Sequence, residues 1–142
     1  MRLITLLLAL LPAQAHAWTF TPGLICRLTH ETQDATIELT YDPSGPLYSL
    51  TVSRAEPLPN VEPFIMRFNG PAGRVISTNS HSFNEDQTAV TAQDRGFGNV
   101  LDGLQFNDTA EAVLGSTTLT FPLQGAAEPV AAFRICDTAA GA

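Results

Sequence analysis

Residues 35–41 and 48–52 form two runs of alternating apolar and polar side chains, separated by the segment Asp42-Pro43-Ser44-Gly45-Pro46. Alternation with a period of two is typical of strands with one buried face, and the residue types between the runs favour a turn. The two apolar sets share a face in one register only, because a slip of one residue would expose a whole set. The expected cross-strand pairs are Tyr41 with Tyr48, Leu39 with Leu50 and Ile37 with Val52. This pattern predicts an antiparallel hairpin.

Alternation elsewhere in the chain predicts further strands. The clearest are residues 64–68 and 117–123, the latter an edge strand because it contains Pro122. Weaker strands at 74–78 and 88–93 flank the polar segment 84–87, which predicts a hairpin-like unit. Three prolines make the segment 56–63 an extended crossover rather than a helix or an inner strand.

Ten glycines and ten prolines among 142 residues leave little room for long helices. Phe97, Val100, Leu101 and Leu104 have helical spacing, but Gly96, Gly98 and Gly103 predict an irregular or one-turn segment. Asp108 and Glu111 resemble a capping box and Gly115 suits a position just past a helix end, which predicts a short helix at 108–114. A second short helix is expected from Pro129, with Cys136 on its buried face.

These elements predict a mainly β protein: a small antiparallel β-sandwich or barrel of about six to eight strands with two short C-terminal helices. The chain is 44% apolar and 15% charged, which excludes simple disorder. No internal repeat or second domain is evident. We therefore expect residues 18–142 to form a single β-rich domain.

The N-terminus has the features of a secretory signal peptide. Arg2 precedes the apolar run Leu3–Leu11, and Ala15 and Ala17 fit the small-residue rule for cleavage, which predicts a removed segment at 1–17. The apolar run is shorter than a membrane-spanning helix, so no membrane insertion is expected after cleavage. Export to an oxidising compartment predicts a disulfide between Cys26 and Cys136, the two cysteines of the chain. We expect a periplasmic or secreted location.

The charge balance excludes one class of partner. The chain has 14 acidic residues against seven basic ones, all arginine, and a net charge of −7. Phosphate backbones and anionic lipids repel such a chain, so nucleic acid is not an expected partner. The acidity favours solubility or recognition of a basic protein.

The segment Arg95-Gly96-Phe97-Gly98-Asn99 is the candidate binding site. Its glycines permit a tight loop that presents Phe97 to a ligand, with Arg95 as an anion anchor and Asn99 beside them. The alternative interpretation places Phe97 in the core beneath a glycine-rich turn. A dinucleotide loop is not predicted, because the flanking strand and third glycine are missing.

Two histidines remain after the signal, and neither predicts a catalytic set. Ser80-His81-Ser82 invites a hydrolase hypothesis, but no nucleophile elbow accompanies it, and an exposed polar loop explains the same residues. His30 with Glu31 and Asp34 offers metal-binding atom types, although a polar strand end does so equally. We therefore predict no catalytic residues, no metal and no cofactor.

The segment from Asp108 to Cys136, containing FPLQGAAEPVAAFRIC, resembles the C-terminal end of the invasion-associated locus B proteins, which are small secreted bacterial β-proteins. The likeness lies in the order of strand, Gly125, alanine-rich helical turn and terminal cysteine, and it covers about a quarter of the mature chain. It implies a periplasmic or surface-associated accessory protein and supplies no catalytic residues.

Three functional hypotheses follow. The first is a non-enzymatic accessory protein that binds another protein or a cell-wall component. The second is a periplasmic inhibitor of a basic enzyme such as lysozyme, which opposite charges would steer towards it. The third is a small hydrolase using His81 or His30 with a carboxylate.

Overall fold

The computed structural model describes residues 17–136, which form two antiparallel β-sheets and two helices. The ten strands are β1 Thr19–Thr21, β2 Cys26–Glu31, β3 Thr36–Asp42, β4 Leu47–Ser53, β5 Phe64–Asn69, β6 Arg74–Thr78, β7 Ser82–Phe83, β8 Ala89–Asp94, β9 Thr109–Leu114 and β10 Thr117–Pro122. The helices are α1 Gly98–Gln105 and α2 Ala127–Arg134. The predicted β-sandwich with two short helices is confirmed, and its sheets do not close into a barrel.

One sheet has six strands in the order β1-β2-β3-β4-β8-β7, and the other has four in the order β10-β9-β5-β6. The predicted hairpin is β3–β4, with Tyr41 opposite Tyr48, Leu39 opposite Leu50 and Ile37 opposite Val52, so its register is confirmed. The apolar N-terminus of the domain is strand β1, which pairs with β2. The segment 56–63 contains no regular structure, as its prolines predict.

The core lies between the sheets and consists of the alternate side chains that face inward. Strand β3 shows the principle, because Ile37 and Leu39 are buried while their neighbours are partly exposed. Strand β5 buries Phe64, Met66 and Phe68 in the same way, as its alternation predicts. Burying large apolar side chains on both sheets supplies most of the stabilisation of such a sandwich.

The disulfide joins Cys26, at the start of β2, to Cys136, which follows α2. The two Cα atoms are 6.4 Å apart and both residues are buried. The predicted pairing is therefore confirmed, and so is the helix expected from Pro129. The bond holds α2 beside β1 and β2, which it contacts.

The helix predicted at residues 108–114 is wrong, because this segment is strand β9. Ala110, Ala112 and Leu114 are buried at alternate positions, and the strand pairs with both β5 and β10. Gly115, at a φ of 57°, belongs to the β9–β10 turn rather than to a helix end. Pairing on both sides overrides a weak local helix signal, because apolar side chains with a spacing of two already satisfy the core.

The irregular segment predicted near Phe97 is also wrong, because residues 98–105 form the regular helix α1. The Phe97 carbonyl accepts the first bond of the helix from the Leu101 amide at 2.9 Å. Gly103, which the sequence marks as a helix breaker, lies where the helix meets the Phe68 ring and where a side chain would not fit. Close packing against β5 therefore offsets the low helix propensity of glycine.

The hairpin predicted between residues 74–78 and 88–93 does not form. Both segments are strands, but β6 pairs with β5 and β8 pairs with β4, in different sheets. The turn at 84–87 instead joins β8 to β7, a strand of two residues. The strong turn at 69–73 decides the pairing, because it places β6 directly beside β5.

Asn107 anchors the end of α1, and its removal should destabilise the fold. The buried Asn107 side chain accepts a hydrogen bond from the Ala72 amide at 2.9 Å and donates to the carbonyls of Ala72 and Gly103 at 3.0 Å each. We expect Asn107→Ala to lower the free energy of unfolding by about 2 kcal/mol, because these backbone groups would lose their partners. Urea denaturation measures this loss. Asn99→Ala, at an exposed position, should change stability by less than about 0.5 kcal/mol, and equal losses would contradict this account.

Candidate functional site

A cleft of about 220 Å³ opens between the two sheets, where β6 of the four-stranded sheet faces β8 of the six-stranded sheet. We call it the β6–β8 cleft. Its base consists of buried core side chains, and its rim carries polar groups. The base includes Leu50, Phe64 and Met66, and the surrounding residues include Ile76, Ala92, Gln93, Phe97 and Asn99.

The cleft exists because the sandwich is closed on one side only. On the opposite side, the indole Nε1 of Trp18 donates to the Pro122 carbonyl at 2.9 Å and so joins the N-terminal segment to β10. On the cleft side, β6 and β8 belong to different sheets and share no ladder. Apolar core surface is therefore reachable from solvent at this edge.

Two of the three predicted binding residues, Phe97 and Asn99, line the cleft. Arg95 is exposed and does not line it, although its chain neighbours Asp94 and Gly96 do. Phe97 is 6% exposed and stacks on Tyr48 with a centroid distance of 5.3 Å. Phe97 is therefore a core residue, as the alternative interpretation predicts, and it also forms a wall of the cleft. Ligand binding by this residue stays a prediction.

Arg95 differs from the other arginines in the described part of the chain. Within residues 17–136, the other five guanidinium groups have a carboxylate or carbonyl partner, and that of Arg95 has none. Its backbone amide donates to the Asp94 carboxylate at 2.6 Å, which fixes the main chain and leaves the side chain available. An unpaired guanidinium at the rim of an apolar cleft suits an anionic group.

The rest of the cleft cannot be predicted from the sequence. Ile76, Ala92 and Gln93 lie on two strands that the sequence predicts to form one hairpin, whereas the structure places these strands in different sheets. A local signal for them is lacking, because short strands have the same sequence pattern whether or not they border a cleft.

His81 stands near the same edge of the sandwich and shows no catalytic arrangement. Its Nε2 lies 2.8 Å from the Val61 carbonyl, to which it donates, and its ring lies between Phe64 and Phe83. The other nitrogen, Nδ1, is enclosed. A general base needs a nitrogen lone pair directed at the nucleophile, so the hydroxyls of Ser80 and Ser82 gain no activation from this geometry.

His30 lies on the opposite side of the molecule. Its ring is buried and stacks on Trp18 with a centroid distance of 4.8 Å, while Glu31, the next residue of β2, is exposed. Within residues 17–136, no three histidine, cysteine or acidic side chains converge as a metal site would require. The metal hypothesis for His30, Glu31 and Asp34 therefore has no geometric support.

The β7–β8 turn carries an ordered acidic group. The carboxylate of Asp86 accepts hydrogen bonds from the Thr88 hydroxyl at 2.7 Å and from the Asn84 side-chain amide at 2.7 Å. The Thr88 hydroxyl is the main cause of a lowered pKa for Asp86, because it stabilises the charged form.

The pKa of Asp86 is therefore expected below its ordinary value of 3.8. The hydrogen bonds contribute to stability while the carboxylate is ionised, and that contribution is lost as the pH falls through the lowered pKa. Replacing Thr88 with valine should raise the pKa towards 3.8. Carboxyl NMR titration of both proteins measures the difference, and identical titration curves would refute the role of the hydroxyl.

Comparison with family models, curated proteins and solved structures finds no match to this chain. Within residues 17–136, no helix has the length and apolar content needed to cross a bilayer. The resemblance to the invasion-associated locus B proteins remains a prediction, and β9 replaces the short helix on which it partly rests.

Proposed function

We propose that the protein is a non-enzymatic accessory protein of the periplasm or the extracellular space, and that it binds another protein or a cell-wall component through the β6–β8 cleft. The observation that carries this proposal is the cleft itself, where apolar core side chains meet solvent beside an unpaired guanidinium. Binding sites commonly combine an apolar surface with a few polar groups of this kind.

The size of the cleft favours part of a large partner over a small molecule. Pockets that enclose whole small ligands measure about 300–1,000 Å³. At about 220 Å³, the β6–β8 cleft suits one or two apolar groups that project from a larger body. The remaining contacts would then come from the polar rim.

Three features support the location. The Cys26–Cys136 disulfide is typical of an oxidising compartment. The sequence predicts a signal peptide at residues 1–17, of which 1–16 lie outside the described residues, and the resemblance noted above also implies export. The net charge of −7 makes nucleic acid an unfavourable partner.

Site-specific photo-crosslinking tests the proposal. Benzoylphenylalanine is placed at position 94 or 99 on the rim, and at position 118 on the exposed face of β10 as a matched control. In intact cells of the source organism, positions 94 and 99 should give the same adduct, and position 118 should give none. Equal yields at all three positions, or no adduct at any of them, would overturn the proposal.

The ordered acidic turn favours a second candidate, an inhibitor of a basic enzyme such as lysozyme. Glu85 and Asp86 are exposed on a turn held by several hydrogen bonds, and a pre-ordered loop loses little entropy on binding. Inhibition of lysozyme should then weaken as salt is added, because charge steering is screened. Unchanged lysozyme activity at low salt with excess protein would exclude this candidate.

A further inference from the structure

The four outer strands of the sandwich differ in how well their free edges are protected. The six-stranded sheet ends on β1 and β7, which have three and two residues. The four-stranded sheet ends on β10, which carries Pro122, and on β6. Short strands and prolines prevent edge pairing, and β6 has neither feature.

Strand β6 is five residues long and carries no charge after Arg74. Val75 is 62% exposed on its outer face, and Ile76 lines the β6–β8 cleft on its inner face. Alternate residues of an edge strand direct their N–H and C=O groups away from the sheet. The strand therefore offers a hydrogen-bonding edge directly above an apolar cleft.

A strand that paired antiparallel with β6 would run from Thr78 towards Arg74. Arg74 Nη1 lies 3.7 Å from Asp102 in α1, so the C-terminal end of the added strand would approach this helix. Arg95 precedes α1 by three residues and holds the unpaired guanidinium. This guanidinium is available to an acidic residue of the added strand.

We infer that the occupant of the β6–β8 cleft is an extended polypeptide strand of a partner protein, which pairs with β6 and extends the four-stranded sheet. A residue opposite Ile76 inserts an apolar side chain into the cleft, and an acidic residue near the C-terminal end of the strand binds Arg95. Main-chain hydrogen bonds supply affinity in this mode, and alternate side chains supply specificity. The inference rests on the proposed function and names the chemistry of the partner.

Synthetic peptides test this inference on the folded protein. The parent peptide alternates threonine with valine or isoleucine, is one residue longer than β6 at each end, and has glutamate near its C-terminus. Two N-methylated forms block either one or the other alternate set of amides. Fluorescence anisotropy measures the affinity of each peptide. Methylating the amides that face β6 should weaken binding at least about tenfold, because the hydrogen bonds to β6 are lost, and methylating the amides that face away should have little effect.

The glutamate near the C-terminus of the peptide allows a second test, of the contact with Arg95. Replacing the glutamate with glutamine, or Arg95 with glutamine in the protein, should each weaken binding about two- to fivefold, and the two changes together should add little more. Arg95 is exposed and unpaired, so Arg95→Gln keeps the fold, which an unchanged melting temperature verifies. Additive effects of the two changes would overturn the Arg95 contact.

Three outcomes would overturn pairing of β6 with a strand of a partner protein while leaving the proposed function intact. They are equal effects of the two N-methylated sets, no binding of the parent peptide while crosslinks at positions 94 and 99 persist, and self-association of the protein that the peptide displaces. The last result would identify a second copy of the chain as the occupant. Loss of the crosslinks would instead refute the proposed function itself.

Discussion

Replacing Cys26 or Cys136 with alanine should lower the free energy of unfolding by about 2–5 kcal/mol and the melting temperature by on the order of 10 °C. The disulfide closes a loop with a sequence separation of 110, so its loss restores considerable entropy to the unfolded chain. It also frees α2, which would then depend on Val130, Phe133 and the Arg134–Asp102 ion pair. Denaturation by urea measures the first effect, and hydrogen exchange in α2 measures the second.

The two single variants and the double variant provide the control. Because one bond links both residues, all three should lose nearly the same free energy, and a reducing agent should bring the wild type down to their level. Full stability of either single variant would show that the bond does not hold the two ends together. Amides of β5 and β9, the central strands of the other sheet, should stay protected at the level that global unfolding sets.

Replacing Gly103 with alanine should cost about 3 kcal/mol or more. An added Cβ would lie 2.4 Å from Cδ2 of Phe68, whose ring is 1% exposed and has no space to withdraw. Overpacking of this kind forces α1 away from β5 and outweighs the gain of about 1 kcal/mol in helix propensity. Thermal or urea unfolding measures the loss.

Gly98→Ala is the matched control in the same helix. No atom lies within 4 Å of the added Cβ, so this change should leave stability unchanged or raise it by up to about 1 kcal/mol. Adding Phe68→Leu to Gly103→Ala should recover part of the loss, because a smaller side chain makes room. The same effect for the two glycine variants would contradict the close approach of α1 and β5.

The sequence predicts those elements whose local pattern agrees with their partners. In the β3–β4 hairpin, turn residues and alternation both require the register that forms. In β9, the spacing of Ala110, Val113 and Leu114 fits a helix as well as a strand, and only pairing with β5 and β10 decides between them. The low helix propensity of Gly103 predicts a helix break, because the sequence does not show that Phe68 packs against this glycine.

The candidate site could be predicted only in part, for a similar reason. Phe97 and Asn99 lie in a distinctive glycine-rich segment, and the structure places both on the cleft. Ile76 and Gln93 lie on ordinary short strands. They border the cleft because β6 pairs with β5 in one sheet and β8 pairs with β4 in the other. The sequence of neither strand shows which distant strand it pairs with.

Filling the cleft with a larger side chain tests most directly whether the partner binds in its interior. Ala92→Phe places a phenyl ring in the β6–β8 cleft, and Ala89→Phe places the same ring on the same strand but on the outer face, since Ala89 pairs with Ser53. The measurement is the yield of the adduct formed by benzoylphenylalanine at position 99, with folding of both variants checked by thermal unfolding. The account predicts that Ala92→Phe removes most of the adduct and Ala89→Phe leaves it unchanged. An undiminished adduct in a folded Ala92→Phe protein would contradict it.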